Sequence, residues 1–425
     1  MQHILCIFLI ELDSTKWVLG TFAFAISDIK FDLNDFLYIR LCFMASIRTA
    51  VPFSPALFCV TRMNHHLEIS DYQKLFCRKM ESAELQTPLL HGLPDEIALL
   101  CLARVPRQYH NALRCVSRGW KALLSSEEWH SYRKRNNLAE SWIYVVCRGT
   151  GFKCYVLVPD PTTRCLKVIQ VMEPPCSARE GVSIETLDRR LFLMGGCSWL
   201  KDANDEVYCY DAASNHWSKA PPMPTARCFF VSAALNDKIY VTGGLGLTDK
   251  SPNSWDIYDK ATDSWFSHKN PMLTPDIVKF VALDDELVTI HKASWNRMYF
   301  AGIYDPVDQS WRGKENEIAL CWSGPTVVVD GTLYMLDQSL GTKLMMWLNE
   351  TKEWVMVGRL SDKLTRPPCE LVAIGRKIYV IGKGLSTVTI DMDMAARVDG
   401  FLVSSSTGPL MEHDFSPEKC SVITI

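Results

Sequence analysis

Three arginines occupy matching places in this chain of 425 residues. Arg179, Arg227 and Arg366 each stand 16 residues ahead of a glycine: Gly195, Gly243 and Gly382. A guanidinium is always charged, and its planar fork meets a carboxylate or phosphate with two parallel hydrogen bonds. Three of them around one opening would grip an acidic group on a binding partner; alternatively, each would tie down carbonyls of its own fold. Connecting stretches further along carry Trp199, Trp295 and Arg297, with Lys201, Asp202 and Lys250 near them. Such side chains suit recognition from surface loops. Covalent or redox chemistry has less to work with. His216, His268 and His291 are scattered, the 16 cysteines include no Cys-x-x-Cys, and no His, Cys, Asp or Glu cluster has metal-ligand spacing. A phosphate-binding loop of the Gly-x-x-x-x-Gly-Lys type is missing as well. These residues point to binding, with no catalytic residue, metal or cofactor expected.

What positions them is a repeat. Leu191-Phe192-Leu193-Met194-Gly195-Gly196, Tyr210-Asp211 and Trp217 recur 48 residues on as Ile239-Tyr240-Val241-Thr242-Gly243-Gly244, Tyr258-Asp259 and Trp265. The period continues through Leu287 to Ile290 with Tyr304 and Trp311, through Leu333 to Leu336 with Trp347 and Trp354, and through Ile378 to Ile381 with Ile390-Asp391. Read backwards, it finds Ile143 to Val146 with Asp160 and Leu166, which makes six units. His291-Lys292 and Asp337-Gln338 replace the glycine pair in two of them. A repeat of this length suits four strands with their turns, one blade of a propeller. Asp188-Arg189, Asn236-Asp237, Asp284-Asp285, Asp330-Gly331 and Gly375-Arg376 are two-residue hairpin signals, because Asp, Asn and Gly tolerate positive φ. The apolar runs that follow are continuous, as in strands buried on both faces. One tryptophan per unit would wedge neighbouring sheets apart, burying roughly 150 to 250 Å² each.

This pattern resembles the kelch repeat over about residues 141 to 425. The resemblance implies a mainly β fold, a six-bladed kelch-type propeller, and it makes arginine at the Arg179, Arg227 and Arg366 position part of the repeat itself. Cys420 to Ile425 resembles the leading strand Cys369 to Ile374, so the C-terminus is expected to complete the first blade and close the ring, hiding two sheet edges. The rim opposite the two-residue turns carries the longer connections and is the expected recognition face.

Ahead of the propeller, residues 88 to 133 read as helical. Leu93-Pro94-Asp95-Glu96-Ile97 sets a proline and two acids at a helix start, and Ile97, Leu100 and Cys101 follow as an apolar face until Pro106. A second amphipathic run has Leu113, Val116, Trp120, Leu123 and Leu124, with Ser117 placed to cap a helix and Trp129 and Tyr132 continuing the last one. Together with Arg104-Val105-Pro106, these residues resemble an F-box. That family implies a small three-helix unit docking on a Skp-type adaptor, which bridges to cullin and RING proteins of a ubiquitin ligase, while the propeller holds a protein substrate. The alternative is a ligase-independent kelch scaffold or small-molecule-binding propeller whose helical segment caps the ring. About 45 residues of helix bury little apolar surface alone, so part of the helical face should be covered by another chain or by the propeller. Leu93, Pro94, Ile97, Leu100, Leu113, Val116 and Trp120 are the adaptor-contact candidates; Val116 and Trp120 would equally serve to hold the helices together.

Composition sets the remaining bounds. A net charge of -3 speaks against nucleic-acid binding through a broad basic field. Arg133-Lys134-Arg135 is the one compact basic run, read as a solvated helix end. Unpaired cysteines in apolar strands fit a reducing compartment, the cytoplasm or nucleus. Residues 1 to 62 are apolar, but charges from Glu11 to Arg40 interrupt every stretch long enough to span a bilayer, so no membrane association is expected. Residues 1 to 87 are assigned to an extension and linker outside the fold, residues 88 to 133 to the helical unit and residues 134 to 425 to the propeller.

Overall fold

Five tight turns dictate the strand order. In the computed structural model Asp188, Asn236, Asp237, Asp284, Asp285, Asp330, Gly331 and Gly375 hold φ values between 48° and 75°, the conformation that primed hairpin turns require. Each turn joins a short leading strand to a second strand in two-residue register: Leu187 faces Arg190, Leu235 faces Lys238, Leu283 faces Glu286, Val329 faces Thr332 and Ile374 faces Lys377. The structure describes residues 4–13, 16–24, 88–90, 92–148, 152–159, 166–170, 173–175, 177–198, 203–246, 254–270, 277–292, 299–315, 317–320, 322–394, 397–398, 400–402, 404–408 and 415–425. The chain divides into two compact units, residues 1–140 with Ile425, and residues 141–424.

The larger unit is a six-bladed β-propeller of antiparallel sheets. Its leading strands are Ser416–Thr424 in blade one, Ser183–Leu187 in two, Val231–Leu235 in three, Ile277–Leu283 in four, Thr326–Val329 in five and Glu370–Ile374 in six. These pack side by side around the axis. Blade one is made from both ends of the propeller: Ser416–Thr424 pairs with Ser141–Arg148, Ile423 opposite Trp142 and Cys420 opposite Val145. The second strands are buried almost end to end, which is why their sequences show no alternation. Between sheets, Phe192, Met194, Ile239, Val241 and Tyr258 form one apolar cluster. The outer tryptophans pack at a tilt against the tyrosine or tryptophan of the strand beside them, Trp217 against Tyr210 at 5.2 Å and Trp354 against Trp347 at 5.4 Å between ring centres. Trp265 and Trp354 each donate from the indole to a carbonyl of the preceding blade, Pro221 at 2.9 Å and Ile318 at 3.0 Å. Gly195 is required by crowding: a Cβ there would lie 2.5 Å from the Arg227 carbonyl oxygen, to which Gly196 N donates at 2.9 Å.

Blade six departs from the repeat. Its fourth strand is the short Ser405–Thr407, and the chain ahead of it sends Arg397–Val398 and Phe401–Leu402 to the outer edge of blade five, where Phe401 pairs in parallel with Arg359. Strands of two residues carry no periodicity, so nothing in the sequence announced them. In the other unit, Ile4–Asp13 and Lys16–Phe24 form a two-stranded antiparallel sheet among the described residues, in a segment to which the sequence assigned no element.

Among the described residues the helical unit holds the α-helices α1 (Asp95–Ala103), α2 (His110–Arg114), α3 (Arg118–Ser125) and α4 (Glu127–Arg135), α2 being a single short turn of five residues. Ser117 caps α3, its hydroxyl accepting from Trp120 N at 3.1 Å. Ser126 does the same for Trp129 N at 3.2 Å in an extended conformation, so Trp129 and Tyr132 begin a new helix instead of prolonging α3. Leu99, Leu102, Trp120, Leu123, Leu124, Trp129 and Tyr132 form the core. Arg133 corrects the reading of a solvated basic end. It is 1% exposed and donates to Val105 O, Leu138 O and Glu140, while Lys134 and Arg135 remain outside.

Candidate binding surfaces

The sequence of α1 is apolar on every side, and the fold uses only one of them. Ala98, Leu99, Leu102 and Ala103 are buried in the core, while Ile97, Leu100 and Cys101 stay half-exposed. Leu93 is half-exposed and Pro94 exposed at the helix start, and Val116 beyond α2 is 51% exposed. An amphipathic helix of a self-contained domain would put polar residues on that outer side. Two candidates belong elsewhere. Trp120 is 8% exposed within the core, and its indole donates to Leu89 O at 2.9 Å; Leu113 packs partly against the same cluster.

The three arginines sit in different surroundings. Arg227 is 0% exposed, with its guanidinium spent inside the blade: on Asp256 at 3.1 and 3.3 Å, Gly243 O at 2.9 Å, Ser254 O at 3.0 Å and Ser254 Oγ at 2.8 Å. Arg179, one blade earlier, pairs with Glu206 and lies 5.9 Å from the Tyr208 ring. Arg366 is exposed and helps hold the Asp362 carboxyl below its usual range, chiefly set by bonds from Thr342. Arg227 is thereby a structural tie, not a ligand contact. Trp199, Trp295 and Arg297 lie outside the described residues, as do Lys201, Asp202 and Lys250.

A cavity of about 340 Å³ opens instead among the first residues of the leading strands, on the rim opposite the two-residue turns. Gly181 to Ile184, Phe229 to Ser232, Val278 to Phe280, Glu370, Glu418, Lys419 and Arg148 line it. Its charges are mixed, where the arginine reading expected a cationic mouth. Lys419 meets Glu185 at 3.1 Å, Arg148 meets Glu418 at 2.9 Å and Glu180 at 3.6 Å, and Ser232 donates to Glu185 at 2.8 Å. Among the described residues no cluster of His, Cys, Asp or Glu could hold a metal.

Comparison with known proteins decides the family. A family model described as "F-box domain" matches residues 90–132, and one described as "Kelch motif" matches residues 178–224 and 226–267. The chain is 40% identical over 361 residues to the F-box/kelch-repeat protein SKIP4 of Arabidopsis thaliana, spanning 82% of this chain and 98% of that protein. The chain belongs to the F-box/kelch-repeat family. More distant relatives from the same plant are the F-box protein AFR, 23% identical over 81% of this chain and 95% of its own length, and the F-box/kelch-repeat protein SKIP30, 25% identical over 74% and 89%.

Within the kelch propeller, sequence reasoning missed Lys279, Glu370 and Lys419, because a charged residue in a short strand gives no hint that its side chain turns toward the axis. It also missed Glu206. Lys219, donating at 2.7 Å, and Arg179 hold the Glu206 carboxyl down to about 2 from an ordinary 4.5. A carboxyl depressed in the folded state contributes stability above its unfolded value and loses it as pH falls through the folded one. The melting temperature of the wild type is therefore expected to fall more steeply than that of Glu206→Gln between about pH 5 and pH 2. Parallel pH profiles in differential scanning fluorimetry would contradict this.

Proposed function

We propose that the chain is the substrate-recognition subunit of a Skp–cullin–F-box ubiquitin ligase, its F-box binding a Skp-type adaptor and its kelch propeller binding the protein to be ubiquitinated. One observation carries the reading: α1 keeps Ile97 and Leu100 half-exposed on its outer side, continuous in sequence with Leu93 and Pro94, although its inner side already completes the core. Apolar surface left uncovered beside a finished core is what a partner chain would cover. The chain performs no reaction in this reading; it brings the target to the enzymes that do. Cytoplasm or nucleus is its place, where the buried free thiols of Cys147, Cys154 and Cys209 stay reduced.

The test is capture of a purified Skp-type adaptor. Leu93→Ala combined with Pro94→Ala is expected to weaken capture roughly tenfold or more, without lowering the melting temperature of the propeller. Equal capture by the double variant, or none by the wild type, would refute the reading.

A further inference from the structure

Two opposite charges line the cavity at the channel mouth without closing an ion pair. Lys279 reaches it from blade four and Glu370 from blade six. Their charges act on each other, and that of Glu370 also feels Lys419, yet among the described residues neither side chain forms an ion pair or hydrogen bond. The neighbouring polar groups are satisfied, Lys419 by Glu185, Arg148 by Glu418, and Ser183 by Ser232 at 2.5 Å. Burial pulls the Lys279 amine down and pushes the Glu370 carboxyl up. Partly exposed charges of opposite sign that line a cavity without closing on each other remain free to pair with something that enters it.

Phe229 stands at the same opening in a strained pose. Its φ is 54° and its side chain is 52% exposed, an outlier for a bulky residue. Phe229 N donates to Gly181 O at 2.8 Å. Gly181 makes room for it, since a Cβ there would come within 2.6 Å of Phe229 N and 2.7 Å of the ring. An exposed aromatic held by the backbone beside a small cavity is the anchor expected of a binding site.

We infer that this mouth binds an amphoteric ligand, with Lys279 taking its carboxylate, Glu370 its ammonium or guanidinium, and Phe229 an apolar group between them. An anion alone would face the like charge of Glu370, and a cation alone that of Lys279. The source of that chemistry is either a target segment carrying acidic and basic side chains a few residues apart, which rests on the receptor reading, or a free amino acid.

The experiment screens the full chain against an array of end-capped pentapeptides, with free lysine, glutamate and phenylalanine as competitors. Enrichment of peptides that pair Asp or Glu with Lys or Arg is expected. Lys279→Met should erase the acidic preference and Glu370→Gln the basic one, each weakening binding by roughly tenfold or more, and Phe229→Ala should weaken all binders. The exchange Lys279→Glu with Glu370→Lys should restore binding with the order of charges reversed. Melting temperatures of Lys279→Met and Glu370→Gln should be nearly unchanged, because neither side chain closes an ion pair or hydrogen bond within the fold; a lowered melting temperature would make these residues structural and overturn the site. Enrichment of acidic peptides alone, of apolar ones alone, or of none would also overturn it. Free amino acids binding where peptides do not would keep the amphoteric site and remove the target segment as its ligand. Adaptor capture in the same preparation separates the two readings: capture without peptide enrichment sinks the site alone, and enrichment without capture sinks the receptor alone.

Discussion

Removing residues 418–425 should abolish cooperative unfolding of the propeller and convert the protein into oligomers. Those residues supply most of the leading strand of blade one, in register from Lys419 opposite Val146 to Thr424 opposite Ser141. They bury Cys420 and Ile423 and reach blade two through the Lys419–Glu185 ion pair at 3.1 Å and the Thr186–Ser421 hydrogen bond at 2.8 Å. Half a dozen ladder bonds at about 1 kcal/mol each amount to about 5 kcal/mol or more, as much as the whole stability of many domains. The deletion also bares Ser141–Arg148 as an unpaired edge, a template for pairing with a second chain. Size-exclusion chromatography with light scattering and calorimetry of the truncated chain would show the loss. A monomer with unchanged melting temperature would contradict the account of closure.

Arg227→Ala should be the most damaging single substitution in the kelch propeller. It would leave the wholly buried Asp256 carboxylate without its counter-charge, and Asp256 Oδ1 already has no hydrogen-bond partner. The carbonyls of Gly243 and Ser254 would lose donors as well. Breaking a buried pair from one side typically costs about 3 to 5 kcal/mol, whereas replacing both partners with apolar groups is often neutral. Arg227→Met with Asp256→Leu should therefore recover part of the loss, the remainder measuring the orphaned carbonyls. Urea titrations of the four members of this double-mutant cycle give the numbers. A single variant within 1 kcal/mol of wild type, on the order of a surface substitution, would mean that the arginine is not the tie it looks to be.

Much of this architecture was legible because it rests on residues with few alternatives. Positive φ at Asn236-Asp237 or Asp330-Gly331 selects Asn, Asp and Gly, so the hairpins announce themselves; second strands buried on both faces must be apolar throughout, so their period survives even where His291-Lys292 replaces a glycine pair. The C-terminal strand was visible through its likeness to Cys369–Ile374. What stayed hidden depends on which way a side chain turns. In α1 a helix apolar on all sides does not declare which side is the core, and the structure puts Leu99 and Leu102 inward and Ile97 and Leu100 outward. Arg179, Arg227 and Arg366 share a repeat position but not a fate, because Asp256 in blade three is replaced by Tyr208 in blade two. Arg133 looked solvated beside Lys134 and Arg135, and only the surrounding carbonyls of Val105 and Leu138 draw it inside.

Hydrogen exchange of the chain with and without an equimolar Skp-type adaptor tests the central claim most directly. Slower exchange is expected in the segments holding Leu93 to Leu100 and Val116, with the amides of the six blades unchanged. Protection that appears on the propeller instead, or nowhere, would contradict an F-box that docks through the outer side of α1.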